Sequence, residues 1–342
     1  MDERQHLPLR RLPANRFRRA ESRRGGGPMR TFELTRATSV EAALDALTAG
    51  AQAIAGGTEL LNWLKEGIEA PARLVDINRL PLDRIEFADD HVRLGALCRM
   101  SDVAAHPELA REFPVLVQSL LRAASPQLRN MATLGGNLMQ RTRCPYFRAD
   151  TGLPCNKRVP GSGCSARHGD TTSAAILGWS DDCVATHPSD LAVALAALDA
   201  VVVVRGPDGE RRIPATSFHR LPGDEPARHN ELRSDELITA IEVPRGGTRF
   251  SHYLKVRERV SYEFAVVSAA AVVEWDGQTI TRARVALGGV AHGPYRMELV
   301  GVPLDRLAEV VRLTRARPLP GNEYKVTLAE RAAVRAIKEA MS

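Results

Sequence analysis

Two patterns in the chain predict an α+β protein built from two domains. The first half alternates short helical and strand signals at close intervals, whereas the sequence past about residue 216 gathers long β-rich runs ahead of two amphipathic segments. Strand runs followed by helices are what an antiparallel sheet with covering helices needs. A third observation divides the first half. Between Gln140 and Pro188 the periodicity stops, and Cys144, Cys155, Cys164 and Cys183 stand in a stretch rich in Pro, Gly and Arg. At 342 residues with 44% hydrophobic content, the chain has apolar material for a core in each domain.

The elements follow in order from Met29. Ser39 to Leu47 carries apolar residues on one face behind a serine cap and predicts a helix. The apolar run Ala51 to Ala55 predicts a strand ending in Gly56-Gly57-Thr58, with Thr58 placed to cap a helix over Glu59 to Glu66. Arg73 to Ile77 reads as a strand, and Ile85 to Phe87 with Val92 to Leu97 as a hairpin across Asp89-Asp90. Phe113 to Ala123 has the period of a buried helix, stopped by Ser125-Pro126. Regularity returns at Pro188, where Ser189 caps an apolar helix to Leu198. A hairpin follows, Val201 to Arg205 and Arg211 to Pro214, turning through Pro207-Asp208-Gly209.

In the C-terminal part, Leu237 to Val243, His252 to Arg257, Phe264 to Trp275 and Ile280 to Leu287 read as a three- or four-stranded antiparallel sheet, the last two joined at Asp276-Gly277. Segments near Leu304 to Leu313 and Tyr324 to Ala340 are amphipathic and are expected to cover one sheet face. The Pro/Gly-rich region running to Pro226 puts the boundary near residue 215. The first domain then spans 29–215 with an irregular insert at about 141–187, and the second spans 216–342.

The formal charge of +6 resides at one end: residues 1–30 hold nine arginines against Asp2, Glu3 and Glu21, and the remainder has 38 basic and 38 acidic residues. The body is therefore neutral, which argues against a nucleic-acid surface there. Residues 1–28 lack helical periodicity and a secretory h-region and are expected to form a disordered Arg-rich leader, with Met29 as the natural first residue. No run approaches the roughly 18 consecutive apolar residues of a membrane span. Compartment stays open between cytoplasm and a periplasmic location reached by export with a partner.

The glycine runs point to a phosphate-bearing ligand. A short strand, a Gly-Gly turn and a helix starting near Thr58 aim unpaired backbone N–H groups and a hydroxyl at one point, where a pyrophosphate is favoured. Thr133-Leu-Gly-Gly-Asn137 repeats the combination after a helix, so two loops could face each other across one dinucleotide. Either alone is an ordinary tight turn. A G-x-x-x-x-G-K-[ST] loop is absent, and Gly161-Ser-Gly-Cys-Ser-Ala166 matches a dinucleotide fingerprint by letter without the strand and helix that give it meaning.

The four cysteines leave several readings open. Thiolates gathered from an irregular loop suit an iron-sulfur cluster. Their spacing lacks the paired C-x-x-C knuckles of structural zinc, yet zinc, disulfides and unrelated buried thiols all stay open. Cys98, in Gly95-Ala-Leu-Cys98, reads as core.

Five segments carry a family resemblance: Ala53-Ile-Ala-Gly-Gly-Thr-Glu-Leu-Leu61, Arg73-Leu-Val-Asp-Ile-Asn78, Leu128-Arg-Asn-Met-Ala-Thr-Leu-Gly-Gly-Asn137, Thr186-His-Pro-Ser-Asp190 and Val285-Ala-Leu-Gly-Gly-Val290. Together they resemble the FAD-carrying medium subunit of molybdenum hydroxylases, the xanthine dehydrogenase and carbon monoxide dehydrogenase family, from Met29 to the C-terminus. Within it, the insert from Arg141-Thr-Arg-Cys-Pro-Tyr146 to Cys183 most closely resembles that of the bacterial periplasmic aldehyde oxidoreductase FAD subunit, which carries an extra [4Fe-4S] cluster in this loop. The resemblance implies an FAD-binding domain of the PCMH or vanillyl-alcohol-oxidase type, followed by an antiparallel sheet with helices of the CO dehydrogenase flavoprotein C-terminal type.

The resemblance also implies a site. Ala55, Gly56, Gly57 and Thr58 would line the FAD pyrophosphate, flanked by Ala53, Ile54, Glu59, Leu60 and Leu61, and Thr133, Gly136 and Asn137 would form the second cradle. Asp190 would contact the cofactor, and Lys255 with Arg259 would border the flavin. On residue chemistry alone Asp190 is equally a carboxylate at a helix N-terminus, and the two basic residues are solvated strand charges. Cys144, Cys155, Cys164 and Cys183 would ligate the cluster. Molybdopterin would lie on a large partner and [2Fe-2S] centres on a small one, with electrons passing through FAD to an external acceptor. This chain offers no catalytic base of its own. A zinc-stabilised interaction module and an Arg-tail nucleic-acid binder are the readings from other classes.

Overall fold

The computed structural model describes residues 30–342, and the leader at 1–28 lies outside the described residues. Three sheets organise the chain. The first is parallel, of order β1-β3-β2, formed by β1 (Glu33–Arg36), β2 (Gln52–Ile54) and β3 (Arg73–Asp76). Its crossovers carry α1 (Val40–Thr48) and α2 (Leu60–Lys65). Ser39 caps α1 by accepting from the Ala42 N–H at 3.1 Å, and Ala43, Leu44 and Leu47 face Val75 and Ile77 in a small separate core.

The second sheet contains β4 (Ile85–Phe87), β5 (His91–Gly95), β6 (Val201–Gly206), β7 (Gly209–Pro214) and β8 (Leu237–Pro244), in the order β4-β5-β8-β6-β7. Between its strands run α3 (Met100–Ala105), α4 (Pro107–Glu112), α5 (Pro114–Arg122), α6 (Pro126–Arg129), α7 (Leu134–Leu138) and α8 (Asp190–Ala197), and α9 (Ala215–Phe218) follows β7. Ser189 caps α8 by accepting from Ala192 N–H at 2.9 Å. Every residue of α8 is buried, which makes it a central helix rather than an amphipathic surface one. Cys98 lies in the same core, as the sequence indicates, and its thiol is pushed up to about 11 by burial.

The third sheet is antiparallel, of order β12-β11-β10-β9, from β9 (Ser251–Val256), β10 (Val267–Trp275), β11 (Thr279–Gly288) and β12 (Tyr295–Pro303). Two helices follow, α10 (Leu307–Val310) and α11 (Tyr324–Met341). Strand alternation sends Ala270 and Val272 toward the core around α5 and α8, and Ala269, Ala271 and Val273 toward Ala329, Ala333 and Ala336 of α11. Both faces are covered, not the one the sequence suggests.

Several expectations are corrected here. β8 pairs with β5 and β6 in the middle of the second sheet, so that sheet reaches Pro244, well beyond the boundary placed near 215. A buried strand carries no local mark of which sheet it will join. The C-terminal sheet takes its fourth strand from Tyr295–Pro303 instead, an edge with exposed Val300 that shows little alternation. Leu304 to Leu313 is a 3-10 turn and the four-residue α10. α2 begins at Leu60 behind Glu59, with no side-chain cap, so Thr58 does not cap it.

One polar contact ties the last sheet to the rest. Asp190, at the start of α8, accepts from Tyr253 Oη at 2.5 Å and from Lys255 Nζ at 2.8 Å, both on β9. The two charged side chains are 1% and 6% exposed. Replacing one partner leaves a buried uncompensated charge, a loss on the order of 3–5 kcal/mol. Lys255→Met is therefore expected to lower the urea midpoint, and adding Asp190→Asn to recover part of the loss. An unchanged midpoint in the single variant would show that the pair adds nothing.

Candidate functional site

A cleft of about 680 Å³ opens between the first glycine loop, the start of α8 and the third sheet. Thr58 and Glu59 contribute to it from the first loop, Gly136 and Asn137 from α7, and Asp190 from α8. The loop from Glu258 to Val266, the pair Gly288-Gly289, Lys325 and residues of the cysteine insert, among them Arg143 and Cys144, add to the wall. This volume lies in the range that small-molecule and cofactor sites occupy.

The two glycine loops meet backbone to backbone. A Cβ at Gly56 would overlap the carbonyl oxygen of Met131, just ahead of the second loop, and Gly57 adopts φ +70°. Arg99 holds this junction by donating to the Met131 carbonyl and, at 3.0 Å, to Asn78 Oδ1. In the second loop the Thr133 hydroxyl accepts from Gly136 N–H at 3.1 Å and so caps α7. Gly135 packs against Ala96, while Gly136 faces the cleft. Asn137 Oδ1 accepts from the Ser189 hydroxyl at 2.5 Å, tying this loop to the start of α8.

The third glycine pair was not singled out as a site by sequence, although its motif is visible there. Gly289 has φ +72°, and a Cβ on it would run into the carbonyl of Val266. Lys325 donates to the Ala174 carbonyl at 2.9 Å and to that of Gly289 at 2.6 Å, and burial pushes it down to about 8. Its position on an amphipathic helix gave no sign of this. Ala124 (φ 50°) and Tyr262 (φ 53°), two of the three left-handed non-glycine residues among the described ones, also border the cleft. Strained backbone of this kind concentrates at functional sites.

The other expected residues divide. Ala53, Ile54, Ala55, Gly56, Gly57, Leu60, Leu61 and Thr133 support the loops without lining the cleft. The Glu59 carboxylate is fully engaged elsewhere: it accepts from Trp63 Nε1 at 2.8 Å, Arg148 at 2.5 Å and Arg143 at 2.6 Å. Lys255 faces Asp190 and the Arg122 carbonyl, not the cleft, and burial pushes the Asp190 carboxyl up despite these partners. Arg259 lines the cleft in the loop after β9.

The cysteine stretch stays irregular, with one 3-10 turn at Ser165–Arg167 and isolated pairings of Cys155 with Cys164 and Ser180 with Cys183. All four of its thiols are free and surround one small void of about 10 Å³, with Phe147, Asn156 and Lys157. No group of three or more Cys, His, Asp or Glu among the described residues is placed to hold a metal ion.

Between cleft and cysteines lies a set of histidines that the sequence did not flag. The His187 and His219 rings stack at 3.9 Å, and His229 meets Phe147 edge-on at 6.2 Å. His219 Nδ1, His187 Nε2, His229 Nε2 and both ring nitrogens of His292 are buried without a protein partner. Burial holds His219 down to about 4 and His229 to about 2.

Two family models cover nearly the whole described chain. The FAD binding domain in molybdopterin dehydrogenase matches residues 30–246, and the CO dehydrogenase flavoprotein C-terminal domain matches residues 252–340. The chain belongs to this flavoprotein family. Among its relatives, the aldehyde oxidoreductase FAD-binding subunit of Escherichia coli is 47% identical over 91% of this chain and 99% of its own length. The carbon monoxide dehydrogenase medium chain of Hydrogenophaga pseudoflava is 27% identical over 75% of this chain and 73% of that protein. The family fold is also that of solved structures: CO dehydrogenase from Oligotropha carboxidovorans superposes with a TM-score of 0.69 at 23% identity, covering 91% of this chain and 98% of that one. The family model is that of an FAD-binding domain, and the cleft beside the glycine loops has the volume of a cofactor site. No helix among the described residues is long and apolar enough to cross a membrane.

Two outcomes follow for this flavoprotein. Glu59→Gln weakens the ion pairs to Arg143 and Arg148 that hold the insert, so limited proteolysis within 141–187 should accelerate; an unchanged cleavage rate would disprove the fastening. His219 is lowered in the fold, so the unfolded chain binds more protons below its ordinary value of 6.5. Stability is then full above about 6.5 and falls as pH drops toward about 4, by roughly 3 kcal/mol for this residue. A His219→Gln variant should show a flatter dependence of unfolding free energy on pH across that window.

Proposed function

We propose that this chain is the FAD-carrying electron-transfer subunit of a molybdenum-dependent aldehyde oxidoreductase complex, with molybdopterin on a large partner and [2Fe-2S] centres on a small one. The observation that carries this is the pair of glycine loops pressed together at Gly56 and Met131 beside a cofactor-sized cleft. The aldehyde chemistry rests on the name of the 47% identical relative. FAD bound in the cleft supplies a redox centre that connects the partners' electrons to an external acceptor.

The chain's own residues have positioning roles. Backbone N–H groups around Gly57-Thr58 hold the pyrophosphate, and Gly136 and Asn137, the latter fixed by Ser189, face it from the second loop. Ala53, Ile54, Ala55, Leu60 and Leu61 hold the first loop in place, and Thr133 the second. The Asp190–Lys255 pair fixes the floor of the cleft against β9, and the loop carrying Arg259 and Tyr262 flanks its mouth. We further place the division between the two domains in residues 247–251, between the matched family segments.

In this reading Cys144, Cys155, Cys164 and Cys183 hold a [4Fe-4S] cluster. Four free thiols around one void supply the donor set. A [4Fe-4S] centre takes four cysteine thiolates, one on each iron corner, which is the number of thiols around this void. Arg143 and Arg148, both in this insert, grip Glu59 beside the first glycine loop, so the insert also has a structural role in the flavin site.

The complex purified with its partners should release FAD on denaturation, and Gly56→Ala should lose most of that flavin while its partners still assemble. Full flavin content in Gly56→Ala would overturn the cradle. Cys155→Ser should lower the iron and sulfide content, and unchanged values would remove the cluster.

A further inference from the structure

Lys157 lies two residues past Cys155 and is only 8% exposed, in a wall it shares with all four cysteines of the insert. An ammonium offers three donors. Here one is accounted for, by the Pro226 carbonyl at 2.8 Å. Lys325 shows how this protein serves a buried lysine that has no counter-ion, with carbonyls of Ser173, Ala174 and Gly289 at 3.4, 2.9 and 2.6 Å. Lys157 has no such set. The four thiols of Cys144, Cys155, Cys164 and Cys183 line the same void as Lys157. Asp182 lines the same void, but no carboxylate of the described residues lies within ion-pair distance of Lys157. A buried cation so placed is strongly disfavoured unless negative charge is supplied nearby, and thiolates are the groups in position to supply it.

We propose that Lys157 is the fixed counter-charge of the cysteine nest, stabilising its four thiolates and raising the reduction potential of the cluster they hold. This rests on the cluster assignment above. A cluster on four thiolates is a net anion, and each electron it takes up adds a negative charge without making or breaking a bond. A cation held in a low-dielectric wall stabilises the reduced form more than the oxidised one, and local charge is one of the levers that set such potentials. The hydrogen bond to Pro226 is a separate role, which pins the insert to the segment before β8. A glutamine could keep that bond while losing the charge.

The experiment is a dithionite titration of the intact complex, followed by the fast-relaxing EPR signal of a reduced [4Fe-4S] centre and accompanied by iron and sulfide analysis. Wild type, Lys157→Gln and Lys157→Arg are compared. The expected result is a more negative midpoint in Lys157→Gln and a near-native one in Lys157→Arg. Loss of the cluster from Lys157→Gln with retention in Lys157→Arg also supports the charge. A wild-type midpoint in Lys157→Gln overturns the proposal, as does loss of the cluster from both variants, which would mean that the site needs the shape of lysine and not its charge. Wild-type complex lacking this signal is a distinct result, which removes the cluster assignment and this role with it.

Discussion

The contact between Gly56 and the Met131 carbonyl is the constraint on which the candidate cleft depends. It brings two loops from different sheets to backbone distance, which no residue with a Cβ allows. The pieces around it reinforce that approach. Arg99 bridges Met131 to Asn78, and Asn137 accepts from the Ser189 hydroxyl that also caps α8. One cap therefore serves a helix terminus and the second glycine loop together.

The cleft also depends on the way the third sheet is held. α8 is buried on every side, packed between the second sheet and β10 and β11, and its first residue carries the charge that meets Lys255 and Tyr253. A buried ion pair adds little net stability when compared with apolar packing, but it penalises any other docking of β9. Specific docking matters here because Gly288-Gly289 and the loop after β9 form the far wall of the cleft.

The cysteine insert is fastened to this frame instead of hanging from it. Glu59 follows the first glycine loop directly, and its carboxylate is divided among Trp63, Arg143 and Arg148. Asn156 braces the chain from inside by donating to the Asp182 carbonyl at 3.1 Å and accepting from Gly163 N–H at 2.8 Å. An insert without regular secondary structure is thus ordered by side-chain to backbone bonds, and the thiols converge because those bonds set the path of the chain.

Signals confined to neighbouring residues were legible in the sequence. Ser39 and Ser189 announce their helices, Pro207-Asp208-Gly209 its hairpin, and the glycine pairs their loops, because caps and tight turns are decided within a few positions. The motif resemblance added the family, and the family models agree with it. What only the tertiary structure decided are pairings between distant residues: Glu59 with Arg143 across 84 positions, Asp190 with Lys255 across 65, β8 with β5, and the burial of Lys157 beside four thiols. A carboxylate beside a glycine loop reads as a cofactor contact until a guanidinium from elsewhere takes it, and a strand has no sheet until its partners arrive. These depend on which surfaces meet on collapse, and that information is spread over the whole chain.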